Sequence, residues 1–140
     1  MENNITRFIE AQENFYETAF EEMKNGKKET HWMWFIFPQL RVLGVSEKAI
    51  YYGINDLQEA KKYIEHPLLG DRLREISKEI LKLSGSDPVS LMGRVDAIKL
   101  QACMTLFAHA TEENQVFVDV LTKYFSSQYD KRTLEAINFH

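Results

Sequence analysis

His31-Trp32-Met33-Trp34-Phe35-Ile36-Phe37-Pro38-Gln39 is the stretch whose reading decides the fold. Both tryptophans of the chain lie in it, beside two phenylalanines, and no charge interrupts it between Glu29 and Arg41. Each such ring buries roughly 150–250 Å², so the stretch reads as the wall of the core and of a pocket. Tryptophan, phenylalanine and isoleucine suit a pleated surface. Yet no second run in the chain alternates as a strand does, and one strand has nothing to pair with. The stretch is therefore expected to be a short buried helix over 30–37, stopped by Pro38. In a helix Trp32 and Trp34 point to roughly opposite sides, while His31 and Phe35 share a face. In a strand the two indoles would share one.

Outward from it, apolar periodicity predicts helices on both sides. Ile5, Phe8, Ile9, Phe15, Tyr16, Ala19, Phe20 and Met23 recur at steps of three and four, an amphipathic helix ended by Asn25-Gly26. Gln12 falls on that stripe. A buried amide needs a partner, so it either bonds a loop backbone or faces a ligand. Ser46 is placed to cap a short helix, and Asp56 with Glu59 to open another that ends before Pro67. Leu69, Leu73, Ile76, Ile80 and Leu83 mark the next one, and Asp87-Pro88 starts a single turn. Asp96 is expected to cap the most buried helix, in which Lys99 is the lone charge from 97 to 108. Val116 to Tyr124 and a last helix capped by Asp130 complete an all-α reading of six to eight helices in one domain over 1–140.

A chain of 140 residues fits one domain on a prior of about 100–200 residues and buries roughly 68–70% of its unfolded surface. Net charge is −4 with both signs interspersed, which gives no general pull towards nucleic acid or anionic membrane. Cys103 is the single cysteine, so no internal disulfide is possible, and the thiol reads as a core group in a reducing compartment. Met1-Glu2-Asn3-Asn4 is not a secretory signal. The longest apolar run, from Trp32 to Pro38, falls far short of the ~20 residues that span a bilayer. The expectation is a soluble cytoplasmic protein.

The motif search excludes more than it finds. No phosphate-binding glycine loop, dinucleotide fingerprint, H-E-x-x-H helix or nucleophile elbow is present. His31, His66, His109 and His140 lack metal-ligand spacing, and no C-x-x-C occurs. No cofactor or metal is therefore expected. What remains is a set of polar groups set among apolar ones. His31 is either a helix-start histidine on a backbone carbonyl or an acid–base group near neutral pH. Trp32 and Trp34 are either core or a stacking surface for a planar ligand. Lys28 is either a solvated turn lysine or a partner for phosphate or carboxylate. Lys99 must snorkel, pair or shift its pKa, with Asp96 one turn earlier as the nearest carboxylate. Arg72 is placed for an ion pair to another helix or a bidentate anion clamp, and Gln39 closes the aromatic stretch.

Together these residues resemble the bacterial domain-of-unknown-function family 1810. Carriers of the resemblance are Arg7-Phe8-Ile9-Glu10-Ala11-Gln12, Gly26 through Lys28, the histidine–tryptophan block itself, Leu43-Gly44-Val45-Ser46, His66 to Leu73, and Asp96 to Phe107. The resemblance covers nearly the whole chain and implies an all-helical single domain, without supplying an activity. The family pattern Asp-x-x-Lys-Leu-x-Ser-Ser-Met-Thr-Leu-Phe is matched here by Asp96, Lys99, Leu100, Met104, Thr105, Leu106 and Phe107, with Ala102 and Cys103 in place of its paired serines. Met92-Gly93 replaces its Phe-Gly. If the serines serve a ligand, this member differs in its ligand; if they pack the core, Ala-Cys is a mild exchange. The style of the chain is also similar to helical proteins that handle NAD and ADP-ribose derivatives, an analogy of style alone.

Two functions from different classes follow as expectations. In the first, the domain binds a small planar anionic metabolite: Trp32 or Trp34 stacks, Lys28, Arg72 and Lys99 neutralise charge, and Gln12, Gln39 or His31 orients it. Were it an enzyme, His31 would be the general acid or base and Asp96 the second candidate. In the other, it is a non-enzymatic protein-interaction domain whose aromatic block is simply core, with an apolar surface patch and no closed polar pocket.

Overall fold

Ten α-helices and one 3-10 turn account for the regular structure of residues 4–138, the part of the chain that the computed structural model describes. Met1 to Asn3, Phe139 and His140 lie outside it, and with them most of the N-terminal signal reading and one of the four histidines. The helices are α1 (Thr6–Glu13), α2 (Tyr16–Lys24), α3 (Met33–Ile36), α4 (Glu47–Tyr51), α5 (Leu57–Glu65), α6 (Pro67–Leu81), α7 (Pro88–Met92), α8 (Arg94–Ala110), α9 (Gln115–Phe125) and α10 (Lys131–Asn138). The 3-10 turn is Arg41–Leu43. Among the described residues there is no strand, and the extended backbone pairs once, at an isolated parallel bridge between Leu40 and Ile54. The all-α reading is thus right, with more helices than the six to eight expected.

The extra helices come from breaks that periodicity does not announce. The first amphipathic run splits at Asn14 and Phe15, where Phe15 leaves the helical region at φ −126°. The break lets α1 pack on α3 while α2 lays Ala19 and Met23 against α6. Helix α8 is the centre. Leu100, Cys103, Met104, Leu106 and Phe107 are buried on it, and α5, α7, α9 and α10 pack around it. A helix covered on several sides has little reason to be amphipathic.

Side-chain caps mark half of the helix starts. Ser46 Oγ accepts the Ala49 amide at 3.1 Å, Asp56 that of Glu59 at 2.9 Å, and Asp130 that of Thr133 at 2.9 Å. His66 Nδ1 accepts the amides of Leu68 and Leu69, with Pro67 in the first helical position where its missing N–H costs nothing. Asp96 does not cap α8. That helix begins two residues earlier, behind Gly93 at φ +90°, and Asp96 lies inside its first turn. The left-handed φ suits glycine, so the chain turns there rather than at the carboxylate.

One buried charge pair joins α1 to α5. Arg7, 3% exposed, donates to both oxygens of Glu59 at 3.0 and 3.3 Å. Its remaining N–H groups reach the carbonyls of Asn4, Tyr51 and Gly53. Burying a guanidinium is costly unless every donor is matched, and here the matches also tie down the segment before Ile54.

Candidate functional site

The aromatic stretch is positioned by the C-terminus of α2. Gly26, at φ +81°, ends that helix in a Schellman motif: the Gly26 amide donates to Met23 O and the Lys27 amide to Glu22 O. This turns the chain so that the Glu22 carboxylate gathers the next segment. It accepts the amides of Glu29 (2.8 Å) and Thr30 (3.1 Å), the Thr30 hydroxyl (2.7 Å) and the Trp32 indole N–H (2.9 Å). Burial alone would raise the Glu22 carboxyl, but these donors outweigh it and hold the group below its usual range. With residues 29–32 held this way, helix α3 starts only at Met33. It ends at Ile36, because Phe37 precedes Pro38 and takes φ −123°, ψ 72°. The helix expected over 30–37 is therefore four residues long.

Within the stretch the two indoles part company. Trp32 is fully buried, its ring part of the core and its N–H committed to Glu22, so of the two indoles only Trp34 offers a face. Trp34, inside α3, is half-buried. Lys48 Nζ from α4 lies 4.8 Å from its ring centroid and Lys99 Nζ from α8 lies 5.6 Å away. Both are within the ~6 Å reach of a cation–π contact. Lys99 thus answers its burial problem with an aromatic face instead of with Asp96.

Asp96 has another partner. Lys28 Nζ is 3.0 Å from Asp96 Oδ2, donates to Thr30 O at 2.6 Å, and lies 4.9 Å from the Trp32 ring. Its backbone N–H donates to Leu91 O at 2.7 Å, which fixes the loop against α7. Lys28 is therefore an ion-pair partner that joins the α2–α3 loop to the first turn of α8.

Gln12 and Arg72 belong to the interior on the other side of α3. Gln12 Nε2 donates to Phe35 O at 2.8 Å and to the Tyr63 hydroxyl at 3.0 Å, and its Oε1 accepts from Arg72 at 3.3 Å. The Arg72 guanidinium also covers the Tyr16 ring at 4.9 Å, and Tyr16 donates to Glu75 at 2.5 Å. Among the described residues Arg72 forms no ion pair and instead completes an amide network. Burial, then Glu75 beside it, pushes the Tyr16 hydroxyl up, and burial does the same to Tyr63.

His31 is exposed and makes no hydrogen bond among the described residues, so it does not share the buried face of Phe35. Gln39 is half-buried, and its carbonyl accepts the Ile54 amide at 2.9 Å. Cys103 is fully buried, and burial raises its thiol well above the ordinary range. No group of three His, Cys, Asp or Glu among the described residues could hold a metal ion. No described helix is long and apolar enough to cross a membrane.

The structure therefore brings together Trp34 with Lys99, and Lys28 with Asp96 and Trp32, whereas Gln12 and Arg72 meet each other inside. An open cleft of 360 Å³ is lined by 83–87, Asn25, Gly26, Ser90, Leu91 and Tyr124; one of 540 Å³ lies between the starts of α1 and α5. Neither includes Trp34, Lys99 or His31. Glu22 and Lys48 went unread in the sequence, because an exposed-face residue on a polar helix gives no sign of which loop or ring will meet it.

The sequence pattern of the family described as "Protein of unknown function (DUF1810)" matches residues 2–137. A crystal structure of the conserved hypothetical protein Rv1873 from Mycobacterium tuberculosis, solved at 1.38 Å, is similar over 96% of both chains, with 44% identity and a TM-score of 0.94. No curated protein matches the chain. With nearly all of its length matched by the family and its fold shared with that mycobacterial protein, this chain belongs to the DUF1810 family.

Proposed function

We propose that this domain binds a small planar anionic metabolite, of the nucleotide or ADP-ribose class, against Trp34. The observation that carries this reading is the half-buried indole with two ammonium groups, Lys48 and Lys99, within cation–π distance of it. An aromatic face offers stacking to a base, and paired lysines offer charge neutralisation to a phosphate. Lys28 contributes indirectly, through the Asp96 pair that sets the first turn of α8. If turnover accompanies binding, His31 is the general acid or base, exposed two residues before α3, and Asp96 the second candidate.

The test is a titration with ADP-ribose, AMP and NAD, followed by thermal shift and tryptophan fluorescence. A ligand at a hundred times its Kd stabilises by about 2.7 kcal/mol, a few degrees here. The shift should vanish in Trp34→Ala and Lys99→Ala while both remain folded. His31→Ala should abolish any turnover with Tm unchanged. Flat curves for all three ligands would end the reading.

A second reading, the non-enzymatic interaction domain, has its own support. Val42, Val45, Val95 and Ile98 are 70, 94, 66 and 57% exposed, and the residues considered for a ligand are spread over more than one place. Pull-down with Val45→Asp and Val95→Asp variants as controls separates it from the first: a partner lost with those variants but retained by Trp34→Ala favours this class.

A further inference from the structure

We infer that residues 41–53 form a strap closed over the Trp34 site by Lys48, an inference that rests on the binding reading above. The two ends of the segment are tied together: the Arg41 amide donates to Ile54 O at 2.8 Å and the Ile54 amide to Gln39 O at 2.9 Å. This surface excursion carries the 3-10 turn and α4 between its joined ends and, like an Ω-loop, is filled by its own side chains. Gly44 and Ala49 supply that filling, since a Cβ at position 44 would come 2.7 Å from the Ala49 Cβ.

The two limbs are held differently. On the C-terminal limb, Arg7 donates to Tyr51 O at 2.8 Å and Gly53 O at 2.7 Å, and the Tyr52 ring packs on Phe35 at 5.2 Å. At the tip the surface is open, with Val45 at 94% exposure. Lys48 carries the contact from α4 to Trp34. A second cation, Lys99, lies 5.6 Å from the centroid of the same indole. Two like charges on one ring repel, which offsets part of the attraction between Lys48 and the indole. An anion between the ammonium groups converts repulsion into attraction to both, and binding draws α4 towards α8.

Hydrogen exchange of the intact protein tests this, with and without ADP-ribose. Without ligand, Lys48→Met should speed exchange at the Ala49 and Ile50 amides about two- to fivefold, the worth of an exposed cation–π contact, and leave α8 unchanged. Equal exchange in the two proteins would overturn the strap. With saturating ADP-ribose, exchange at those amides in the wild type should slow tenfold or more. If ADP-ribose gives a thermal shift that depends on Trp34 but leaves these amides unchanged, the strap fails and the binding reading stands. If it gives no shift at all, the binding reading fails, and with it the ligand-driven closure.

Discussion

Lys28 Nζ and Asp96 Oδ2 lie 3.0 Å apart, joining a loop that follows α2 to the first turn of the central helix. Asp96 also sits where the α8 macrodipole favours negative charge, so the carboxylate is held from both sides. Asp96→Asn should cost about 1.5–3 kcal/mol in urea unfolding, the range for hydrogen bonds to charged groups. A cycle with Lys28→Met should give a coupling energy of about 0.5–3 kcal/mol. Additive effects would show that the pair contributes nothing.

Glu22 should give the protein an acid-sensitive hinge between α2 and α3. Its folded pKa is depressed, so its stabilisation is present above the ordinary carboxylate range and is lost as pH falls through the folded value. Glu22→Gln should flatten that part of the stability–pH curve and, because solvent screens the group, cost no more than about 1 kcal/mol at pH 7. Emission from Trp32, whose N–H the carboxylate accepts, reports the release. An unchanged acid limb in Glu22→Gln would assign the pH dependence to other groups.

Gln12 should behave as a structural amide. Gln12→Leu removes the donor to Phe35 O and Tyr63 and the acceptor for Arg72, leaving buried polar groups unmatched at about 1–3 kcal/mol each. Thermal melts should show a loss well beyond that of a surface exchange such as Glu13→Ala, while ADP-ribose affinity at Trp34 stays the same. A stable Gln12→Leu that no longer binds ligand would instead place the amide in the site.

Cys103 should be inert in the native protein. Its thiol is fully buried and raised by that burial, and the thiolate is the reactive form. A disulfide reagent at pH 8 should label it only as fast as the protein unfolds. Rapid labelling under native conditions would show that α8 opens far more readily than its packing implies.

The sequence by itself determined the class of this fold. Apolar residues at steps of three and four, Ser46, Asp56 and Asp130 at helix starts, and Pro38 and Pro67 at boundaries are local rules with a period of 3.6 residues. They act within a few residues of themselves. The same rules put Gln12 on an apolar stripe where a buried amide needs a partner, and that partner is the Phe35 carbonyl of α3. What only the tertiary structure decided lies beyond that range. The break at Phe15, the partner of Asp96, the burial of Trp32 rather than Trp34, and the meeting of Lys48 with Lys99 depend on which surfaces pack together. Such pairings bring residues tens of positions apart into contact, as Lys28 meets Asp96, and no period along the chain encodes them. Charge partners are legible only once packing has set the distances, because a lysine reads alike beside a carboxylate, an indole or water.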